Sequence, residues 1–368
     1  MATPIKVLIL STEITGYALS GWDSLATRDD IELRVLTGGA GLADKNNAFE
    51  PGDPRPWLTL LGKETAVNAS LVRQVASDFA PAVIFVSGWG NPAYTQLVHQ
   101  KRIYGCQIVL CLDTTLHNPV RQMLGRVRLW NYLRQIDAFF VPGERGREFL
   151  HRWWHIPHMK IHSGLYPADV PRWHAAHVKR VNLPGWPRSF QFVGRYIPVK
   201  GVQELIAGYR SYRAKVSEPM DFRFCGQGIL AEEIRGTQGM SDLGFIQPEN
   251  MGETMVDAGC FVLPSRYDPW AVALVEACAA GLPLIAGIGC GASAEVLRDN
   301  FNGVLLGESS SEAISMALRA MHERYSEWPV MGARSATMAC PYAPVHWAAN
   351  VAGLVHKLVD DARLTPQV

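Results

Sequence analysis

CFVLPSRYDPWAVALVEACAAGLPLIAG, residues 260–287, reads as a buried strand, a short loop, an apolar helix and a second buried strand. CFVLPS and LPLIAG are short runs dense in large apolar side chains, and Gly281 stands where a helix ending before the second strand needs a stop. A strand, a helix and a strand in so few residues force a crossover connection and parallel pairing. Asp268 falls at the loop-to-helix junction and Glu276 about two turns later, which puts both carboxylates on roughly one helix face. Glu276 is set in VALVEACAAG, where an unpaired carboxylate is costly, so a pocket-facing role is expected. The competing account makes Asp268 a helix cap and Glu276 a solvated helix residue. Backbone N–H groups of Ala271, Val272 and Ala273 fall in the first turn, where unpaired donors and the helix dipole favour an anion.

The same rhythm extends in both directions. KVLIL, ELRVLT, AVIFVS, QIVLCLD and AFFVPG in the first half, and QFVGR and DFRFCG in the second, alternate with longer amphipathic segments. This is an α/β pattern with parallel sheets. A chain of 368 residues, 48% of them apolar, is long enough for two domains. The expected division is a domain over 1–165, a linker over 166–188 rich in Pro, Trp and His, a second domain over 189–340, and a terminal helix over 341–368 packing back on the first domain. Trp347, Val351, Leu354, Val355 and Leu358 share one face of that helix.

In QFVGRYIPVKGVQELIAGYRSY a strand ends at Gly194-Arg195, a loop carries Lys200-Gly201, and a helix begins near Val202. Two cations five residues apart beside a helix N-terminus suit a diphosphate, although a solvated loop pair is the commoner fate of such residues.

FVGRYIPVKG, then FRFCGQG, then the run from Leu243 to Leu306 that contains the opening stretch, resemble in order and spacing the donor domain of the family 4 glycosyltransferases. The resemblance implies the GT-B fold, two Rossmann-like domains facing a cleft. It also implies a retaining transfer from a nucleotide sugar, a UDP- or GDP-sugar, with no required cofactor or metal. By the same correspondence Arg195 and Lys200 would contact the donor diphosphate, Asp268 the sugar hydroxyls, Glu276 the ribose hydroxyls, and the amides at Ala271 and Val272 the phosphate. Two positions depart from the family pattern. Asp268 stands where Glu is usual, and Trp270-Ala271 where Phe-Gly is common.

The first half resembles a subset of the same family more loosely, through SGWGNP, the strand QIVLCLD and the strand AFFVPG. Asp113, at the end of QIVLCLD, is the first candidate to touch the reacting sugar or acceptor, and His117 the second. A turn cap and a surface histidine are the alternatives. Gly16 and Gly21 in TEITGYALSG mark places where backbone could approach a ligand closely. No G-x-G-x-x-G follows the first strand, which argues against a dinucleotide-dependent dehydrogenase.

Composition narrows the partners. Lys and Arg number 35 against 34 Asp and Glu, so nothing global favours nucleic acid. The seven cysteines are scattered, mostly in apolar runs, and read as reduced core thiols of a cytoplasmic protein. Neither cysteine nor histidine spacing completes a zinc site. Arg121, Arg126, Arg128 and Arg134 cluster with Trp130 and Tyr132, and Arg145, Arg147 and Arg152 precede Trp153-Trp154. Both clusters fit peripheral contact with the inner membrane surface, and both fit helix exteriors whose aromatics lie in the core. The function expected is thus sugar transfer to a glycan, lipid-linked or small-molecule hydroxyl. A nucleotide-sugar epimerase or hydrolase, and a non-catalytic nucleotide-sugar-binding protein, stay open.

Overall fold

The computed structural model describes residues 3–38, 52–61 and 68–364. They fall into two compact units, Met1–Pro167 with Pro344–Val368, and Ala168–Ala343.

The first unit is built on a seven-stranded parallel sheet. Its strands are β1 Ile5–Ser11, β2 Ile31–Gly38, β3 Leu58–Leu61, β4 Val83–Ser87, β5 Gln107–Cys111, β6 Ala138–Val141 and β7 Ile161–Ser163, in the order β3-β2-β1-β4-β5-β6-β7. Side chains alternate between faces, so one strand feeds two cores. Leu8 and Leu10 join Ile84, Val86, Ile108 and Leu110 in one buried cluster, while Val7 and Ile9 join Val83, Phe85 and Val109 in the other. Both faces are covered, as parallel sheets require. The second cluster is completed by the helix Pro344–Leu364, which buries Trp347, Val351, Leu354, Val355 and Leu358 there. Trp347 Nε1 donates to the Leu165 carbonyl at 2.9 Å, and His356 Nε2 lies 2.8 Å from Asp30. Gly21 serves this packing rather than a ligand, because a Cβ there would meet Pro167 at 2.8 Å and Trp347 at 2.9 Å.

The second unit carries six parallel strands. They are β8 Ser189–Val193, β9 Asp221–Cys225, β10 Met240–Asp242, β11 Cys260–Leu263, β12 Leu284–Gly287 and β13 Gly303–Leu306, ordered β10-β9-β8-β11-β12-β13. In each sheet the order reverses once, between β1 and β4 and between β8 and β11. Ligands of open α/β sheets bind at such a switch point, outside the carboxyl ends of the strands.

The stretch 166–188, expected as a linker, instead contains the twelve-residue helix Val170–Val181, which belongs to the second unit. The helix starts at Val170 behind an Asp169 cap, carries Pro171 in its first turn, and buries Val170, Trp173, Ala176 and Arg180. Pro and His had masked a regular apolar spacing of three and four residues. Arg180 is 1% exposed and donates to the carbonyls of Ala280 at 2.6 Å, Gly281 at 3.2 Å, Val256 at 3.3 Å and, more closely still, Met255. Burial pulls its guanidinium down to about 9. A cation on the terminal carbonyls of the helix Val272–Ala279 complements that helix's dipole and fixes its C-terminal end.

All seven cysteines are free; Cys340 is exposed and Cys111 half-buried, and the other five are buried. Among the described residues no helix is long and apolar enough to cross a membrane.

Candidate functional site

At the switch point of the second unit, the loop after β8 and the loop after β11 are tied together by backbone. Arg266 N–H donates to the Val199 carbonyl at 2.9 Å, and the Arg266 guanidinium pairs with Glu204. Pro198–Lys200 forms one 3-10 turn and Gly201 follows with φ +72°. A Cβ at Gly201 would meet the Pro264 carbonyl oxygen at 2.2 Å, so glycine is what lets the two loops close on each other.

That closure brings Lys200 onto Asp268. The ammonium donates to Asp268 Oδ2 at 2.5 Å, with the two side chains only 17% and 13% exposed. Sequence spacing gave these residues separate duties and did not show that they form a pair 68 positions apart. The other carboxylate oxygen, Asp268 Oδ1, accepts from Ala271 N–H at 2.9 Å. Asp268 is therefore not the helix N-cap, which is Ala271; it closes the turn ahead of the helix with one oxygen and pairs with Lys200 through the other. Its backbone is held on the far side by the loop after β12, where Asp268 N–H donates to the Gly289 carbonyl and Gly291 N–H to the Asp268 carbonyl, both at 2.9 Å.

The helix begins at Val272, and Ala271 precedes it with φ 68° and ψ 69°. Ala271 N–H, expected to face a phosphate, is already taken by Asp268, so the amides of Val272 and Ala273 are the ones left to the open first turn. A left-handed backbone disfavours any residue with a Cβ, which explains why the resembling family commonly has glycine here. Ala271→Gly is expected to stabilise the chain by up to about 1 kcal/mol, since strain relief slightly outweighs the added freedom of the unfolded glycine. Thermal unfolding should show a melting temperature higher by about 1–3 °C.

Glu276 lies half-buried on this helix. Desolvation pushes its carboxyl up to about 7, opposed by Arg172 and reinforced by Asp169. Both neighbours come from the start of the helix Val170–Val181, where Arg172 pairs with Asp169 at 3.1 Å. The mistaken linker thus supplies the electrostatic surroundings of Glu276. Arg195 stands exposed just after β8, between Gly194 and the buried Tyr196. Tyr196 anchors the turn by donating its hydroxyl to Asp242 at 2.9 Å. Lys200, Asp268 and Ala271 are joined by direct bonds.

The first unit has its own concavity at the carboxyl ends of β1, β4 and β5, a cavity of about 260 Å³. Asp113 and Glu13 line it with Tyr17 and Tyr166, above a floor that includes Ile9, Phe85 and Phe140. Tyr166 donates its hydroxyl to Asp113 Oδ2 at 3.1 Å and packs edge-on against Tyr17, with centroids 5.6 Å apart. Burial, and then the Asp113 charge, push the Glu13 carboxyl up. Asp113 lies where the end of QIVLCLD was expected to place it. Glu13 and Tyr166 were missed, because a loop acid after the first strand and a tyrosine in a supposed linker carry no spacing signal. His117 does not join this cavity. It is exposed on the following loop, its backbone N–H donating to Gln122 Oε1 at 3.1 Å.

The lysine–aspartate pair, the first turn of the helix Val272–Ala279 and the Glu276 carboxylate two turns beyond Asp268 thus lie together in the second unit. Residues 175–327 match the family model described as Glycosyl transferases group 1. Over 252 residues the chain is 25% identical to a D-inositol 3-phosphate glycosyltransferase of Streptomyces griseus, covering 64% of this chain and 51% of that protein. Over 254 residues it is 23% identical to an alpha-D-kanosaminyltransferase of Streptomyces kanamyceticus, covering 65% and 64%. The matches thus span about half to just under two thirds of these curated relatives. Among solved structures, Anabaena HepE in complex with UDP superposes with a TM-score of 0.72 at 15% identity, covering 96% of this chain and all of that one. Sucrose-phosphate synthase from Thermosynechococcus elongatus also gives 0.72 at 15% identity, over 97% and 100%. These likenesses establish the fold, two parallel α/β sheets of the GT-B glycosyltransferase type.

Proposed function

We propose that the chain is a retaining glycosyltransferase that moves a hexose-type unit from a UDP- or GDP-sugar to a hydroxyl of a glycan, lipid-linked or small-molecule acceptor, with no required cofactor. The observation that carries this reading is the joining of Lys200 to Asp268 at the mouth of the helix that bears Glu276, inside a group 1 glycosyltransferase domain. Glycosyl transfer must stabilise charge on a departing nucleoside diphosphate. Lys200, Arg195 and the amides of Val272 and Ala273 supply that stabilisation by preorganised electrostatics. Asp268 holds sugar hydroxyls and Glu276 the ribose hydroxyls. UDP is the favoured base, since the Anabaena HepE structures hold UDP and UDP-glucose and the pneumococcal O-GlcNAc transferase structure holds UDP and GlcNAc.

On the acceptor side, the cavity with Asp113, Glu13 and Tyr166 receives the acceptor, and Asp113 orients its hydroxyl. His117, outside the cavity on the exposed loop that follows, is left to a part of the acceptor that extends beyond it. The free thiols favour a reducing, cytoplasmic compartment, and peripheral contact with the inner membrane surface belongs to the same reading.

Product analysis by NMR, with UDP-glucose and UDP-N-acetylglucosamine and a panel of polyol, sugar and lipid-linked acceptors, tests it. The expected result is acceptor-dependent transfer with the anomeric configuration kept. Free sugar formed equally well without acceptor would make the chain a hydrolase, and an isomerised nucleotide sugar would make it an epimerase.

A further inference from the structure

The two basic and aromatic clusters of the first unit part company once folded. Around Trp153-Trp154 the pattern is absorbed by packing. Trp154 is 2% exposed against Trp89 and Phe149, while Arg147 and Arg152 pair with Glu144 and Glu148. The other cluster behaves in the opposite way. The helix Pro119–Arg128 buries none of its residues, and Val120, Leu124 and Val127 are 71%, 67% and 72% exposed. Spaced i, i+4, i+7, they form a single ridge on the outward face. Half-buried Gln122 and Gly125 fall on the inward side, where Gln122 donates to the Thr115 carbonyl at 2.8 Å. A globular surface helix normally turns its apolar stripe inward; this one is inverted. Trp130, 51% exposed, follows directly.

Along this stretch of chain the charge is of one sign. Arg121 and Arg128 flank the ridge, Arg126 lies on the same helix, and no Asp or Glu occurs between Asp113 and Asp137. From Val120 to Val127 the ridge is only about 10 Å long at 1.5 Å per residue. That is too narrow for a stable protein interface, which needs roughly 800 Å² from each partner. An apolar ridge edged by arginines suits the boundary between anionic headgroups and acyl chains.

We propose that the helix Pro119–Arg128 docks in plane on an anionic bilayer, with Val120, Leu124 and Val127 in the acyl boundary and Arg121 and Arg128 at the headgroups. This sharpens the membrane part of the proposed function and does not depend on the sugar-transfer chemistry.

The test is co-sedimentation of the full chain with vesicles of phosphatidylcholine alone and of phosphatidylcholine containing phosphatidylglycerol. The wild type should bind the anionic vesicles at least tenfold more tightly than the neutral ones, and lose that preference in high salt. Arg121→Gln with Arg128→Gln should weaken binding about 25-fold, roughly fivefold for each arginine. Leu124→Asp with Val127→Asp should weaken it at least tenfold. These side chains are exposed, so unchanged circular dichroism and an unchanged UDP affinity are expected in both variants. Equal binding to both vesicle types, or apolar variants that bind like wild type, would overturn the proposal. So would a ridge variant that changes oligomeric state in sedimentation velocity while vesicle binding stays the same. If UDP fails to bind but the vesicle pattern holds, the sugar-transfer reading falls and the docking surface stands.

Discussion

Lys200→Ala is expected to lower kcat/KM for sugar transfer by about 10²–10³-fold, the usual cost of removing one preorganised donor from a site of developing negative charge. The loss should fall on kcat as well as on KM, because charge on the departing diphosphate is greatest in the transition state. The same substitution strips the ammonium from Asp268, whose side chain is only 13% exposed. A largely buried carboxylate left without its partner is destabilising, here by about 2–3 kcal/mol given the retained bond from Ala271 N–H. The double variant Lys200→Ala, Asp268→Ala should therefore recover much of the stability and none of the activity. Denaturant unfolding alongside steady-state kinetics reads both. Equal kinetics in Lys200→Ala and wild type would remove the diphosphate role.

Glu276→Gln should separate stability from function. The Glu276 carboxyl titrates near 7 in the folded chain against an ordinary 4.5. Below pH 4.5 it is protonated in both states and costs nothing extra. Between 4.5 and 7 the unfolded chain releases a proton that the folded chain keeps, so folding stability falls as pH rises and levels off above 7. The full shift corresponds to about 3 kcal/mol; because Glu276 is only half-buried, about 1–2 kcal/mol is the realistic size. Glutamine removes that loss, so at pH 8 the variant should melt about 2–6 °C higher than wild type, with the difference shrinking toward pH 5. A nucleotide ribose would lose a charged hydrogen-bond acceptor, and affinity should drop about ten- to a hundredfold. In the wild type, donor affinity should rise as pH passes through 7 and the carboxylate forms. A site that is more stable without its own carboxylate is one kept for binding.

The strands that run through the middle of each sheet were plain in the sequence, because parallel strands buried on both faces spell continuous apolar runs such as KVLIL and CFVLPS. The edge strands were not. Leu58–Leu61, Ile161–Ser163, Met240–Asp242 and Gly303–Leu306 are three or four residues long, and IHS and MSD carry hardly any apolar signal. The helix Val170–Val181 was hidden by its own composition. Pro171 sits in its first turn, where proline suits a helix, and its buried polar residue, Arg180, reads as surface until its carbonyl partners are seen.

In the site, Arg195, Lys200, Asp268 and Ala271 occupy the loops that follow β8 and β11, and Val272 and Glu276 the helix after the second loop, but their connections were illegible. The Lys200–Asp268 pair depends on Gly201 admitting the Pro264 carbonyl, a contact between loops more than sixty residues apart. The occupation of Ala271 N–H depends on a left-handed backbone that no spacing reveals. Glu13 comes near Asp113 because the sheet order puts β1 beside β4 and β4 beside β5, while Tyr166, past the edge strand β7, reaches Asp113 with its hydroxyl.

A nucleoside diphosphate held by the second unit should depend on both Lys200 and Glu276. Calorimetric titration of the full chain with UDP, GDP and ADP, repeated on Lys200→Ala and Glu276→Gln, tests it most directly. One-to-one binding of UDP or GDP is expected, weakened at least tenfold in each variant. Absence of binding by all three nucleotides, or binding that neither substitution changes, would contradict it.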